Sequence, residues 1–156
     1  LDLNQLIISW LGEEMIFDAP YIGDDFEANA FSPALGWQHS GNANWTVASD
    51  EAYEGTYAAK SGAISDSQES KIEFTENTDG FSEISFYAKV SSEDGFDYLH
   101  FYIDDVLQDS WSGELGWSLH TYSLTDGQHT FKWSYIKDGF DSEGSDCSWI
   151  DNMLIY

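Results

Sequence analysis

The chain has 156 residues, 29 of them acidic against five lysines and no arginine, for a formal net charge of −24. That balance excludes nucleic acid and anionic membrane surfaces, both of which need clustered cations, and favours divalent cations and neutral ligands. Hydrophobic residues at 42% and aromatics at 17% rule out disorder and suit one domain with a sizeable core. An acidic surface also fits a salty habitat, so the charge has two readings. The lone Cys147 excludes an intrachain disulfide and reads as a buried small hydrophobe. No stretch reads as a signal peptide or a membrane span. Leu1 is not a natural start, so the chain is expected to be a piece of a longer protein.

In chain order, Leu3, Leu6, Ile7, Trp10 and Leu11 follow the spacing of an amphipathic helix, with Asp2 and Gln5 as a capping box and Gly12 as the stop. The sequence thus predicts a helix over residues 1–13. This stub also resembles the last helix of a dockerin-type repeat, although no calcium-loop residues accompany it; a helix plugging one end of the next domain is the other reading. Residues 13–21 read as a linker. From Met15 onward the pattern is all-β. Ile84, Phe86, Ala88 and Val90 alternate with Ser85, Tyr87 and Lys89; Leu99, Phe101 and Ile103 alternate with Tyr98, His100 and Tyr102; Phe131, Trp133 and Tyr135 alternate with Thr130, Lys132 and Ser134. Asp104-Asp105 and Asp126-Gly127 supply turns, and such alternation with regular punctuation predicts a β-sandwich. Lys60, Lys71, Lys89 and Lys132 fall within strands, where they offset neighbouring carboxylates.

The closing run Trp149-Ile150-Asp151-Asn152-Met153-Leu154-Ile155 places a carboxylate inside an apolar strand. Such a group is costly unless compensated, and with so few cations a metal is the natural partner. Near the start, Asp25 and Glu27 flank Phe26, which in a strand would turn both carboxylates away from that ring. First and last strands are often neighbours in closed sandwiches. Asp25, Glu27 and Asp151 are therefore candidate calcium ligands, with solvated edge acids as the alternative. A second acidic loop, residues 137–146, lacks EF-hand spacing and reads as solvated charge rather than a metal site.

Asp25-Phe26-Glu27, Trp45-Thr46-Val47 and Gly55-Thr56-Tyr57-Ala58-Ala59-Lys60-Ser61-Gly62 resemble the opening strands of bacterial jelly-roll modules. With Ile84–Glu93, Phe101–Asp104, His129–Tyr135 and Trp149–Asn152, they resemble MAM-like and cleaved-adhesin-type domains over residues 23–156. The resemblance implies a concanavalin-like jelly-roll β-sandwich over residues 14–156, used for adhesion or sugar binding in a secreted or cell-surface multidomain protein. It also implies a structural calcium, with Glu27 and Asp151 at ligand positions and Asp25 a looser match. MAM domains of animal receptors carry paired cysteines, which this chain lacks.

Sugar binding rests on aromatic faces flanked by polar groups. Trp37, Trp45, Trp111 and Trp117 are loop-like candidates, and the Ser- and Gly-rich stretch holding Trp111 and Trp117 is the best pair; core packing is the other reading for each. No nucleophile elbow, zinc-protease motif or phosphate loop is present, and the four histidines are dispersed. The sequence therefore predicts a non-catalytic module that binds carbohydrate or a cell-surface glycan beside neighbouring domains of the same polypeptide. A spacer or protein-interaction module, or a small carbohydrate-active enzyme, are the alternatives.

Overall fold

A computed structural model describes residues 8–11, 14–17 and 20–156. Strand β1 (Ile8–Leu11) pairs antiparallel with β2 (Glu14–Phe17) as a separate two-stranded sheet. The described part of the expected N-terminal helix, residues 8–11, is thus a strand, as suits its β-branched Ile8 and aromatic Trp10. Residues 1–7, where that helix and the dockerin-like stub begin, lie outside the described residues.

The rest is a β-sandwich, as the alternation predicts. One sheet orders β10 (Val106–Trp111), β9 (Tyr98–Ile103), β12 (Gln128–Ile136), β7 (Glu69–Asn77) and β4 (Gln38–Gly41). The other orders β11 (Glu114–Ser123), β8 (Glu83–Ser91), β13 (Cys147–Ile155), β6 (Ala58–Lys60) and β5 (Thr46–Ala48), with β3 (Ile22–Asp24) also on β13. Every strand pairing within the two sheets is antiparallel. Among the described residues, no helix is long and apolar enough to cross a membrane.

Inward-facing positions of both sheets meet in one aromatic core. Phe74, Phe86, Phe101, Phe131 and Trp133 are buried there with Ile72, Ile84, Leu99 and Ile150. Trp133 lies 4.9 Å from Phe101 and 5.1 Å from Phe86, centroid to centroid, within the range where tilted and edge-on rings attract. Cys147 is buried too, and burial pushes its thiol up to about 11, so it is unreactive as a nucleophile near neutral pH.

The β9–β10 hairpin turns at Asp104-Asp105, both with positive φ (52° and 61°), as a two-residue turn of this hand requires. Asp104 also ties the turn to β12: Oδ1 accepts from Thr130 N–H (2.9 Å), and Oδ2 meets His129 Nδ1 at 2.6 Å. The Thr130 N–H, then the imidazole, hold Asp104 below the usual carboxylate range; hydrogen bonding to Asp104 is the main cause holding His129 above the ordinary imidazole range. A raised histidine adds stability that is complete below its unfolded value and lost as pH climbs through the folded one. A lowered aspartate adds stability that is lost as pH falls through its folded value. Both contributions coexist between about pH 4 and 6.5. Asp104→Asn should therefore lower the melting temperature by about 1–4 °C in that window, for a half-exposed pair worth ~0.5–1 kcal/mol, and by less at about pH 8.5. Equal losses in melts at pH 5.5 and 8.5 would show that the pair carries no charge-dependent stability.

Candidate functional site

The central strand β13 organises one outer face of the sandwich. Trp149 lies in register with Lys89 of β8 on one side and Lys60 of β6 on the other, and Asp151 lies in register with Tyr87. After Asp151 the ladder slips: Asn152 takes a left-handed φ of 46° and forms a bulge before Leu154 regains register with Ser85. On the opposite edge, β6 pairs only as far as Ile150, and β3 begins at Met153. Asp151 therefore sits at a gap in the ladder, fully buried.

The connection from β5 to β6, residues 49–57, is fastened across this face. Asp50 pairs with Lys60 at 2.5 Å and Glu51 with Lys89 at 2.7 Å, and both ammonium groups lie over the Trp149 ring at 5.3 and 5.5 Å. Asp151 Oδ2 accepts from the backbone N–H of Tyr53 (2.8 Å) and Glu54 (3.2 Å), while Oδ1 accepts from Asn152 N–H (2.7 Å). Beyond Gly55, Glu27 Oε1 grips two more amides, Thr56 and Tyr57, each at 2.8 Å. Asn152 Nδ2 closes the ring on Glu54 Oε2 at 3.0 Å. Burial raises the Asp151 carboxyl above its usual range, the three amides oppose that, and the nearby charge of Glu27 adds to it. Each lysine has a carboxylate partner elsewhere: Asp50, Glu69, Glu51, Asp105 and Asp146. Among the described residues, Asp151 and Glu27 are thus held by backbone amides and not by a side-chain cation.

The structure brings Glu27 and Asp151 together, as the sequence suggests, but through a loop rather than directly. It places Asp25 differently. Strand β3 ends at Asp24, Phe26 has a left-handed φ of 59°, and the chain turns. Asp25 caps that turn by accepting from Glu27 N–H and faces an open groove of about 770 Å³ with Tyr21, Phe31, Pro33, Asn152 and Tyr156. The structural carboxylate of this segment is Asp24, which accepts from Phe26 N–H, Ser32 N–H and Trp37 Nε1.

The four tryptophans separate. Trp37 and Trp45 are core residues, 8% and 2% exposed, with their indole N–H groups satisfied by Asp24 and by the Ser70 carbonyl. Neither offers an open face to a sugar, which corrects that expectation. Trp111, at the end of β10, packs inward on Phe86 (6.2 Å) and His120 (4.3 Å). Trp117 lies within the β11 bulge, between Leu115 and Ser118, and near the outer face, 6.3 Å from Tyr53 at 65°. Trp111 and Trp117 therefore belong to different sheets, one turned to the core and the other near an outer face, and form no common platform. Tyr53, absent from the sequence candidates, supplies the missing surface. It stacks on Tyr87 at 3.5 Å and 11°, and its residue is 43% exposed. Tyr53 and Trp117 make an angled aromatic corner beside Leu119, which is in register with Tyr87 and 54% exposed.

No protein-family model and no curated protein matches the chain. Solved structures do. A family 61 carbohydrate-binding module in complex with β-1,4-galactotriose aligns at a TM-score of 0.59 and 18% identity, over 85% of this chain and 93% of that one. The K1 cleaved adhesin domain of Lys-gingipain from Porphyromonas gingivalis gives 0.66 at 9% identity, over 87% and 97%. The CBM22-1 xylan-binding domain of Paenibacillus barcinonensis Xyn10C gives 0.59 at 16%, over 86% and 91%. The chain has the β-sandwich fold of these binding and adhesin domains.

Gly55 tests the geometry of the loop. Its φ of 71° is left-handed, and a Cβ there would fall 2.4 Å from the Glu27 carboxylate carbon. Gly55→Ala should cost about 1–3 kcal/mol, through backbone strain and displacement of Glu27 from the Thr56 and Tyr57 amides. A thermal melt unchanged by this substitution would contradict the grip described.

Proposed function

We propose that the chain is a non-catalytic carbohydrate-binding or adhesion module of a larger secreted or cell-surface protein, and that calcium between Glu27 and Asp151 locks its ligand-bearing loop. The observation that carries the reading is Tyr53, stacked on Tyr87 with an open face, set at an angle to Trp117 on a loop gripped at both shoulders by acids. A pyranose can stack on such a ring while Glu54, Asn152 and the loop backbone meet its hydroxyls. The neighbouring structures support the ligand class: one is bound to a galactotriose and another is a xylan-binding domain. The net charge of −24 favours a neutral glycan over an acidic one.

The donor set suits calcium. Glu27 Oε2 has no hydrogen bond among the described residues, and Asp151 Oδ1 keeps a lone pair after bonding Asn152 N–H. Calcium takes six to eight oxygens in flexible geometry, so loop carbonyls and water can complete the shell. Its charge would neutralise two carboxylates that no lysine reaches. The resemblance to jelly-roll modules gives Glu27 and Asp151 the same role; Asp25, turned to the groove, is left outside it.

Two measurements test this. Calcium at about a hundred times its Kd should stabilise the fold by ~2.7 kcal/mol, so EDTA should lower the melting temperature by about 5–10 °C. Glu27→Gln and Asp151→Asn should each at least halve that difference; an unchanged response in both would sink the clasp. In affinity gels against neutral polysaccharides, Tyr53→Ala and Trp117→Ala should each weaken retention about five- to tenfold, the worth of one aromatic contact. Tyr102→Ala, on the other sheet, should not. There Lys132 already lies 4.7 Å above the Tyr102 ring, and the Tyr98 and His100 rings face each other at 7°. Loss of binding in Tyr102→Ala alone would move the ligand to that sheet, and no retention by any glycan would leave the spacer reading.

A further inference from the structure

A second group of acids lies away from the clasp, where the β8–β9 turn meets the loop after β12. Glu93, Asp97 and Asp138 each bring one carboxylate oxygen within 4.8 Å of the other two. Asp97 is fully buried, and its Oδ1 accepts from Asp138 N–H at 2.9 Å. Its Oδ2 has no hydrogen-bond partner, and neither has the buried Glu93 Oε2. The backbone holds all three in place. The Glu93 carbonyl accepts from Asp97 N–H (3.1 Å), Asp138 Oδ1 accepts from Phe140 N–H (2.8 Å), and the Asp138 carbonyl accepts from Ser67 N–H (2.5 Å).

The nearest cation meets this group only in part, through Asp97. Lys137 is buried, with its ammonium bonded at 2.5 Å to Asp146 Oδ2 and at 2.5 Å to Ser142 Oγ. It remains 3.8 Å from Asp97 Oδ2 and from Asp66 Oδ1, beyond hydrogen-bond reach of either. One lysine therefore faces Asp66, Asp97 and Asp146, and nothing of opposite charge is left for Glu93 and Asp138. A buried carboxylate oxygen without a donor is costly, and bringing two more acids to it raises that cost.

We infer that Glu93, Asp97 and Asp138 form a calcium site that ties the β8–β9 turn to the loop between β12 and β13. The donors are all oxygen, with neither cysteine nor histidine, which excludes a zinc-type site. They come from two separate turns, an arrangement that suits the flexible shell of calcium better than the strict octahedron of magnesium. The ligand spacing fits one coordination sphere, since oxygens about 2.3–2.6 Å from a common ion lie no more than about 5 Å apart. The sequence hides the site: only Asp138 belongs to the acidic loop, and its partners stand some forty residues earlier, beyond a hairpin's reach. The inference is independent of the sugar reading and of the Glu27–Asp151 clasp.

The test is a calcium titration of the ¹⁵N-labelled chain, followed amide by amide. Saturable shifts are expected at Glu93, Asp97, Asp138 and Phe140, with a Kd at or below the millimolar range of extracellular modules, ~10⁻⁴–10⁻³ M. Glu93→Gln and Asp138→Asn, both on turns, should weaken the response at these amides about tenfold or more and leave the calcium response of Tyr53 to Thr56 unchanged. Glu27→Gln should do the reverse, which separates failure of this site from failure of the clasp. No saturable shift at Asp97 and Asp138 by ~10 mM calcium would overturn the site. So would shifts that persist unaltered in both variants, or an equal response to magnesium.

Discussion

A buried carboxylate in the middle of the central strand β13 sets the terms for the rest of the molecule. Asp151 has no exposure and no lysine, so its charge must be met by dipoles or by a bound ion. The fold supplies the dipoles by interrupting its own sheet. A bulge at Asn152 and a break between β6 and β3 open the ladder where Asp151 stands, and the amides of Tyr53 and Glu54 enter the opening. An unbroken ladder on that edge would leave no room for the loop. The irregularity of the sheet and the position of the loop are therefore one fact.

Scarcity of cations shapes the remainder. With five lysines for 29 acids, four of the lysines serve more than one purpose. Lys60 and Lys89 pair with acids of the 49–57 loop and also cover the Trp149 ring, so their methylene stems and charges shield an outward-facing indole that is only 2% exposed. Lys132 joins the Asp105 turn to the Tyr102 face. Lys137 is used up inside the sandwich on Asp146. What remains is acid without counter-charge, and one group of it, Glu93, Asp97 and Asp138, stands where turns from different strands converge. Such a convergence is where a divalent cation gains most, because it replaces repulsion between carboxylates with attraction to each of them.

The sequence made the sandwich legible because alternation is a local signal. The strands around Phe86, Phe101, Trp133 and Ile150 face as their periodicity says, and the Asp104-Asp105 turn closes as expected. The burial of Asp151 was conspicuous for a different reason: an acid in an apolar run demands a partner wherever it lies. The tryptophans were not legible. Trp37 and Trp45 have Gly, Asn and Gln neighbours that mimic a surface turn, and what buries them is an acceptor far along the chain, the Ser70 carbonyl in one case and Asp24 in the other. Asp24 and Asp25 are adjacent and identical in chemistry, so only the end of β3 decides which one turns inward. Tyr53 was invisible because its role depends on Tyr87, in another strand, and on a loop held down by acids on either side.

The division of labour between Trp111 and Trp117 follows from one residue count. Both belong to the same Ser- and Gly-rich stretch, which crosses from one sheet to the other, yet Trp111 opposes inward Leu99, whereas the β11 register slips between Leu115 and Ser118. A slip of this kind turns a strand's side chains over. Without it, Trp117 would follow the facing set by Leu115 opposite inward Val90; with it, the indole comes to Tyr53 on the outside. The aromatic corner thus needs two departures from regular pairing, the β11 bulge that presents Trp117 and the β13 bulge that seats the Tyr53 loop. Each bulge gives up ladder hydrogen bonds, and a purely structural sandwich would have no use for both at one place. The five-stranded sheet has a register shift of its own, between Leu107 and Asp109 of β10, so the convergence of two bulges on one patch, and not irregularity as such, is the argument for proposing this face as the ligand-meeting one.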